Sequence, residues 1–471
     1  MLLLAAAVFV GSQACRPCHS AIADAYSRTP MAQSSGRVEA VPPASFTAAG
    51  HAYRIADRRL YFDGGSVSLD YFIGSNSAGR AYIRDYDGYL FELPVTWYAR
   101  RKMWDASPGY ENLPDINLTR AIERGCLLCH SSRVRPVLGT GNRYGDPPFL
   151  ENGVGCERCH GPGSEHVKSP AKFSMINPAT LDAERRDSIC SQCHLTGVAR
   201  IEMPGRRMAS FQAGELLSDY VAVFSGKPGE AEFKVTSHVE RLAASRCQRE
   251  SGGKLWCGTC HDPHTNADRT QAACLNCHPA AHRRQEACVS CHMPKARVVD
   301  ANHAVMTDHS IPRIPRKTEP TEIGALTAFL GPADDRAVGL AYAELGDSRA
   351  RQYLQRATPM DWPVLLRLAV LESDPLRAAS LYESVLRGNP YETAALVNLG
   401  ALYAQAGRLM DAGKLWERAL DTNPAAEEAV LNLTQILAPD ASRRILKRYL
   451  EFNPVSRKAQ ARLDAIGKQQ R

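Results

Sequence analysis

Long hydrophobic runs are almost absent from this sequence of 471 residues. The apolar run at residues 1–10 is far shorter than the roughly 20 residues that a membrane-spanning helix needs, and no later segment qualifies. We therefore expect no transmembrane span. The run lacks a basic start, but Ala5 and Ala7 suit a signal-peptide cleavage site. Residues 1–10 thus predict the remnant of an export signal, with a misassigned start codon or a degenerate signal, and a periplasmic or otherwise exported protein.

Spare cysteine is equally scarce, because one repeated motif uses 14 of the 15 cysteines and leaves only Cys247. This motif, Cys-x-x-Cys-His, occurs seven times. Its cysteines are Cys15, Cys18, Cys126, Cys129, Cys156, Cys159, Cys190, Cys193, Cys257, Cys260, Cys274, Cys277, Cys288 and Cys291. Its histidines are His19, His130, His160, His194, His261, His278 and His292.

The repeated motif is the attachment signature of haem c, in which two thiols bond the porphyrin and the imidazole ligates the iron. Structural zinc takes paired Cys/His sets and does not need a histidine after every pair. A disulfide framework would not require that histidine, and a thioredoxin-like site carries one such pair. The sequence therefore predicts seven covalently attached haems c.

No charge of one sign dominates, since 57 basic residues face 50 acidic ones and leave a net charge of +7. The two propionates of each haem would move a seven-haem protein towards neutral or acidic. Nucleic-acid binding therefore gains little support, and redox proteins are the expected partners.

The chain is long enough for more than one domain. We predict a heptahaem cytochrome c domain over residues 11–316, with a short helix at 20–26. Inside it, residues 44–100 predict a small antiparallel sheet, because Asp87–Gly88 is typical of a two-residue hairpin turn. Residues 11–316 hold too little chain per haem to enclose each macrocycle separately. Short helices and loops around closely packed haems are therefore expected.

The C-terminal third predicts helical repeats after a Pro-rich break at 311–320. Asn389–Pro390 and Asn423–Pro424 repeat at the 34-residue tetratricopeptide period. Gly400 and Trp416 occupy a small and a bulky position of that motif. An ordinary helical bundle is the alternative. The predicted fold is mainly α: a multihaem cytochrome c domain with a β insert, then a tetratricopeptide solenoid over 317–471 that docks a protein partner.

Each iron needs a second axial ligand unless it is catalytic. Seven histidines lie outside the motifs, and His166 is expected to reach an iron other than that of its neighbouring motif. Asp308 beside His309 is an acidic residue of the kind that can orient a ligand ring. Six of these histidines are predicted to be iron ligands: His166, His238, His264, His282, His303 and His309.

The seventh iron has three alternatives. Met31 would supply a thioether, His51 begins a predicted strand, and the third alternative is an iron without a sixth ligand. Cys247 is expected to be a buried free thiol.

Residues 10–19, 156–166 and 257–264 resemble the cytochrome c-554 family of multihaem cytochromes. The resemblance covers the haem domain in patches, whereas the last third resembles tetratricopeptide proteins. It implies closely stacked haems, mostly with two His ligands, that pass electrons in the periplasm. It also implies a ligand His near Met31, where this sequence departs from the family. Related folds include hydroxylamine oxidoreductase and cytochrome c nitrite reductase, but the Cys-x-x-Cys-Lys motif of the nitrite reductases does not occur here.

Two functions follow from these patterns. The first is an electron carrier that moves electrons one at a time along packed haems, with the repeats docking a partner. The second is a multihaem oxidoreductase whose one open-site haem acts on a small nitrogen or sulfur compound. An assembly scaffold is disfavoured, because binding alone does not require so many cofactors.

Overall fold

The computed structural model describes residues 8–75, 77–226, 233–265, 267–279, 288–301, 303–314 and 324–468. Strands fill the first part, short helices carry the haem motifs in the middle, and longer helices fill the last third. In these described ranges, no helix is both long enough and apolar enough to cross a membrane.

The first part holds one helix and two antiparallel sheets. Helix α1 spans Ser20–Tyr26, the segment where a helix was predicted. Strands β2 to β5 form a four-stranded meander, and the second sheet has the order β1-β6-β7-β8-β9. The strands are β1 (Ser35–Arg37), β2 (Ala44–Ala48), β3 (His51–Ala56), β4 (Arg59–Phe62), β5 (Gly65–Ser68), β6 (Tyr71–Ile73), β7 (Arg80–Tyr86), β8 (Tyr89–Tyr98) and β9 (Met103–Ala106).

The predicted hairpin turn joins β7 to β8. Tyr86 pairs with Tyr89 across it, and Asp87 and Gly88 have φ of 52° and 81°, the positive angles that such a turn requires. The second sheet extends beyond the predicted insert at both ends, because β1 pairs with β6 and β9 pairs with β8.

A shared apolar core lies between the two sheets. Ile55 and Leu60, paired across β3 and β4, and Leu93 and Val95 of β8 are all fully buried in it. Along β3 the buried and exposed residues alternate, as expected for a strand with one covered face.

The middle part contains short helices that carry or adjoin the haem motifs, together with paired strands. The helices are α2 (Arg124–His130), α3 (Glu157–His160), α4 (Ser164–Lys168), α5 (Ala183–His194), α6 (His238–Ala243), α7 (Arg246–Glu250), α8 (Cys257–Cys260), α9 (Thr270–Cys277) and α10 (Cys288–His292). The strands are β10 (Ser132–Pro136), β11 (Tyr144–Glu151), β12 (Ala199–Glu202), β13 (Val221–Ser225), β14 (Lys295–Arg297) and β15 (Val305–Thr307). These strands were not expected. Five of the six have only three to five residues, which is too short for periodicity to be recognised.

The last part is helical, but it begins with a strand. This strand, β16 (Thr327–Leu330), pairs with β13 and completes a three-stranded sheet. The sheet therefore joins the two sides of the predicted domain boundary at 316/317. The helices are α11 (Asp335–Glu344), α12 (Ala350–Leu354), α13 (Trp362–Leu371), α14 (Pro375–Gly388), α15 (Thr393–Gln405), α16 (Leu409–Thr422), α17 (Glu427–Ile436), α18 (Pro439–Phe452) and α19 (Arg457–Lys468).

The helical part packs against the preceding parts at both of its ends. At its start, Leu340 of α11 shares a core cluster with Phe224 of β13. At its far end, the Phe452 ring of α18 lies 5.1 Å from the Phe91 ring of β8. Its packing therefore fixes the β-sheets and the haem motifs in one folded unit.

Candidate functional site

The haem motifs present their reactive side chains from single helical turns. In motifs one, three, five and six, the backbone N–H of the histidine donates to the backbone carbonyl of the first cysteine. The distances are 3.0 Å for His19, 3.1 Å for His160, and 2.9 Å for both His261 and His278. On a helical turn, positions i, i+3 and i+4 share one face. Both thiols and the imidazole of a motif therefore converge on one side of the turn.

The cysteines have the chemistry that covalent haem attachment requires. All 15 cysteines are described, and each is a free thiol. Cys247, which was expected to be buried, is exposed instead. It lies on α7, a short helix of mainly polar residues without a buried position. The fourteen motif thiols fit thioether formation with seven porphyrins.

Several imidazoles are held in the tautomer that ligates a metal through Nε2. A carbonyl oxygen only accepts hydrogen bonds, so an Nδ1 that contacts one must carry the hydrogen. Nε2 is then the unprotonated nitrogen, and the second hydrogen bond orients the ring. Four Nδ1–H groups donate to a backbone carbonyl in this way: that of His160 to the Ile176 carbonyl (2.7 Å), His166 to Phe173 (2.7 Å), His292 to Pro312 (3.0 Å) and His309 to Thr307 (2.8 Å).

Burial keeps other imidazoles in the neutral form that metals bind. It lowers the pKa of His130 and of His194, and it is the main cause that lowers the pKa of His238 to about 3. The buried Nδ1 atoms of His130 and His238 have no hydrogen-bond partner in the structure. A neutral imidazole can ligate iron through its unprotonated nitrogen.

Three histidines outside the motifs lie opposite histidines of distant motifs. The ring centroids of His19 and His166 are 6.4 Å apart, and those of His160 and His264 are 5.9 Å apart. Two imidazoles on opposite sides of one metal, each bonded at about 2 Å, have centroids about 6 Å apart. The pair formed by His261 and His309, at 6.2 Å, has this spacing too.

A fourth pair of rings lies at motif four, at a shorter spacing than the other three pairs. The His238 ring lies 5.1 Å from the His194 ring and 4.9 Å from the His309 ring. His194, His238, His309 and His261 therefore form a row of imidazoles that spans motifs four and five.

The structure places His303 apart from the motif histidines. Its Nε2 contacts a carboxylate oxygen of Asp105 at 2.5 Å, and its ring lies 5.0 Å from that of Tyr98. This Nε2 is engaged by a carboxylate, which argues against the predicted ligand role. The physical cause is the β14–β15 hairpin, whose connection carries His303 towards β8 and β9, where Arg100 donates to the Val305 carbonyl (3.0 Å).

The remaining predicted donors lie in three different places. His51 is on β3, with its ring 6.5 Å from that of Tyr53. His282 lies outside the described residues. Met31 belongs to a turn next to motif two, because Ser34 Oγ contacts both the Met31 carbonyl (2.7 Å) and the His130 carbonyl (2.9 Å).

Thiols of different motifs contact one another. Cys15 lies next to Cys156, Cys129 next to Cys193, and Cys190 next to Cys257. Helix α9, which carries motif six, packs against α8 and α10, which carry motifs five and seven. Every motif therefore has at least one neighbouring motif.

Charged residues inside motif three hold its neighbours in place. The Glu157 carboxylate accepts hydrogen bonds from the N–H groups of Val10, Gly11 and Gly163 at 2.7–3.0 Å, which ties motif three to the segment before motif one. Arg158 donates to the Leu128 carbonyl of motif two (3.2 Å). Sequence reasoning missed both residues because they occupy the variable positions of the motif. Two adjacent charges of opposite sign inside an attachment motif were the available signal.

Comparisons with known proteins point to the same class of cofactor. A model of the family described as cytochrome c554 and c-prime matches residues 103–161, which contain motifs two and three. The multiheme cytochrome MtrA of Shewanella baltica (strain OS185) is 27% identical over 200 residues. That match covers 37% of this chain and 58% of the relative, so the chain spans less than two thirds of that relative's length.

Among solved structures, the outer cell wall cytochrome OcwA superimposes with a TM-score of 0.45 at 15% identity, covering 89% of this chain and 99% of the other. The family match and the MtrA similarity, together with the attachment motifs, support a multihaem cytochrome c with covalently bound haem c.

Proposed function

We propose that this chain holds seven haems c and carries electrons one at a time between redox proteins outside the cytoplasm, in the periplasm or another exported compartment. Bound haem supplies reversible one-electron chemistry at iron. The observation that carries the proposal is the pairing of histidines across motifs. His166, His264, His238 and His309 each lie beside the histidine of a different attachment motif.

In this proposal the seven motif histidines are the first iron ligands. The four paired histidines are the second ligands for motifs one, three, four and five. His282 stays a candidate for a further iron, and His303 is not carried forward, because Asp105 engages its Nε2.

The proposed path has two accessible ends. Cys18 of motif one is exposed, and so are Cys277 and Cys291 of motifs six and seven, whereas the thiols of motifs two to five are partly covered. Redox partners must approach an attachment site closely to exchange electrons. We therefore place the partner contacts at motif one and at motifs six and seven.

We further propose that the helical part is a tetratricopeptide array. Asn389 and Asn423 directly follow α14 and α16, which places the 34-residue period at equivalent helix ends. Leu376 and Met410 occupy equivalent positions near the starts of these helices, with 83% and 81% of their surface exposed. This repeated apolar edge supports the docking of a protein partner.

The ferric spectrum of the purified protein tests the electron-carrier proposal. Haem content and mass should give seven covalently attached haems, and His166→Ala should convert one low-spin ferric signal to high spin. His51→Ala is the matched control and should leave the electron-paramagnetic-resonance spectrum unchanged. An unchanged spectrum for His166→Ala would contradict the proposed ligand set.

One observation favours the oxidoreductase as a second candidate. Among the described residues, His130 of motif two has no histidine ring opposite it, in contrast to motifs one, three, four and five. The Met31 turn lies beside it. If the iron at motif two is open, the wild-type protein shows a high-spin signal that responds to nitrite or hydroxylamine. If Met31 ligates this iron, only Met31→Ala shows that signal.

A further inference from the structure

We propose that Glu240 and Arg241, adjacent on α6, are positioning residues that hold His238 and His309 at the sites of motifs four and five. The inference rests on the proposed function in one respect, namely that these two histidines ligate iron. Neither Glu240 nor Arg241 touches a motif histidine in the described contacts. Each acts through a segment that carries a ligand.

Glu240 ties α6 to the chain that leaves motif four. Its Oε1 accepts hydrogen bonds from the N–H groups of Thr196 (3.1 Å) and Gly197 (2.6 Å), which follow His194 by two and three residues. The residue is only 9% exposed. Because His238 is the first residue of α6, this contact sets the distance between His238 and His194.

Arg241 ties the same helix to the segment that carries His309. Its Nε and Nη2 donate to the two carboxylate oxygens of Asp308 at 2.9 and 2.6 Å, and the two side chains are 9% and 7% exposed. Asp308 Oδ1 also accepts from the Ser310 N–H (2.8 Å), which fixes the chain on both sides of His309. A bidentate pair of this kind restricts angle as well as distance.

The two contacts leave one short helix in different directions. Glu240 faces motif four and Arg241 faces the segment opposite motif five, so the row His194, His238, His309 and His261 is held from both ends. The His238 and His309 rings meet edge to face at 4.9 Å. Partners of a ligand imidazole set its orientation, and ligation in turn sets the spin state and reduction potential of the iron.

The test replaces the buried ion pair with apolar residues, so that no charge is left without a partner. We expect Arg241→Met/Asp308→Leu to keep seven covalent haems but to lose low-spin signal from up to two of them. Their midpoint potentials should shift by the equivalent of a tenfold or larger change in redox equilibrium. Arg336→Met/Asp361→Leu removes an ion pair of similar length (2.7 Å) in the helical part, whose arginine is also buried, and should change neither spectrum nor potentials.

His309→Ala separates this inference from the proposed function. If His309→Ala keeps all low-spin signals, the ligand assignment fails. If it turns one haem high-spin while Arg241→Met/Asp308→Leu keeps native spectra and potentials, only the positioning role is overturned. Should the double variant not fold, Glu240→Met keeps most of the side-chain volume but removes the oxygen that accepts from Thr196 and Gly197. We expect it to shift the potential of motif four, and native potentials in Glu240→Met would then overturn the inference.

Discussion

Single buried carboxylates organise the backbone next to the haem motifs. Glu157 is 3% exposed, and its two oxygens accept from three backbone N–H groups that belong to two separate segments. Glu92 on β8 is also mostly buried, but Arg120 is its ion-pair partner at 3.3 Å. Burial outweighs that partner and raises the pKa of Glu92 to about 7. Glu157 therefore fixes the backbone through its hydrogen bonds, whereas Glu92 makes the stability of the fold depend on pH.

Glu157→Gln replaces one accepting oxygen with an NH₂ group that faces backbone N–H donors. Leaving buried donors without an acceptor costs about 1–3 kcal/mol. We expect a lower Tm, measured by circular dichroism on protein with full haem content. Glu165→Gln is the control, because its partner Lys168 is 67% exposed and surface pairs contribute little. Equal Tm values for the two variants would contradict the role of Glu157.

The raised pKa of Glu92 predicts that this residue favours folding at acidic pH. The folded state holds the proton more tightly than the unfolded chain, so the contribution is complete below about 4.5 and is lost as the pH rises through about 7. The full difference is about 3 kcal/mol. Glu92→Gln should therefore be more stable than the wild type at pH 8 and not at pH 4.5, in denaturant titrations. An equal stability difference between Glu92→Gln and the wild type at both pH values would contradict the raised pKa of Glu92.

At the scale of elements, helix packing in the last part depends on close backbone approach. A Cβ at Gly400 of α15 would lie 2.4 Å from Nε1 of Trp416 on α16, and that indole N–H donates to the Val397 carbonyl (3.1 Å). Gly400 and Trp416 therefore let α15 and α16 pack closely against each other. Gly467 of α19, in contrast, has no atom within 4 Å of such a Cβ.

Gly400→Ala and Gly467→Ala are matched substitutions with opposite expected signs. The first forces the Trp416 ring to move and should cost about 1–3 kcal/mol. The second replaces a helical glycine in open space and should stabilise by up to about 1 kcal/mol. Thermal unfolding followed by far-ultraviolet circular dichroism measures both. A Gly400→Ala protein as stable as the wild type would show that the helices can separate at this contact.

At the scale of the whole molecule, the helical part is anchored on the β-sheets. The buried Arg84 guanidinium of β7 donates to the Phe452 carbonyl (2.8 Å) and lies 4.5 Å from the Phe452 ring. The Tyr89 hydroxyl donates to the Asp421 carbonyl (2.8 Å). Together with the β13–β16 pairing, these contacts make the helices part of the structure that holds the haem motifs.

Phe452→Ala should therefore weaken the attachment of the helices to the sheets. Removing a buried phenylalanine side chain costs about 3–5 kcal/mol. We expect faster limited proteolysis within 331–471 and a lower Tm, while Leu376→Ala, an exposed control in the same part, should behave as the wild type. Unchanged proteolysis of Phe452→Ala would contradict the anchoring role.

The sequence by itself determined the features that depend on neighbouring residues. The seven attachment motifs, α1 at Ser20–Tyr26 and the Asp87–Gly88 turn are all local, because thiol and imidazole spacing, helix propensity and positive φ involve only a few consecutive residues. The tertiary structure alone decided which histidine faces which motif. His166 lies beside His19 across 147 residues, and His303 is drawn to Asp105. Strand β16 joins β13 for the same reason: such contacts arise from packing between distant segments, for which the local sequence carries no signal.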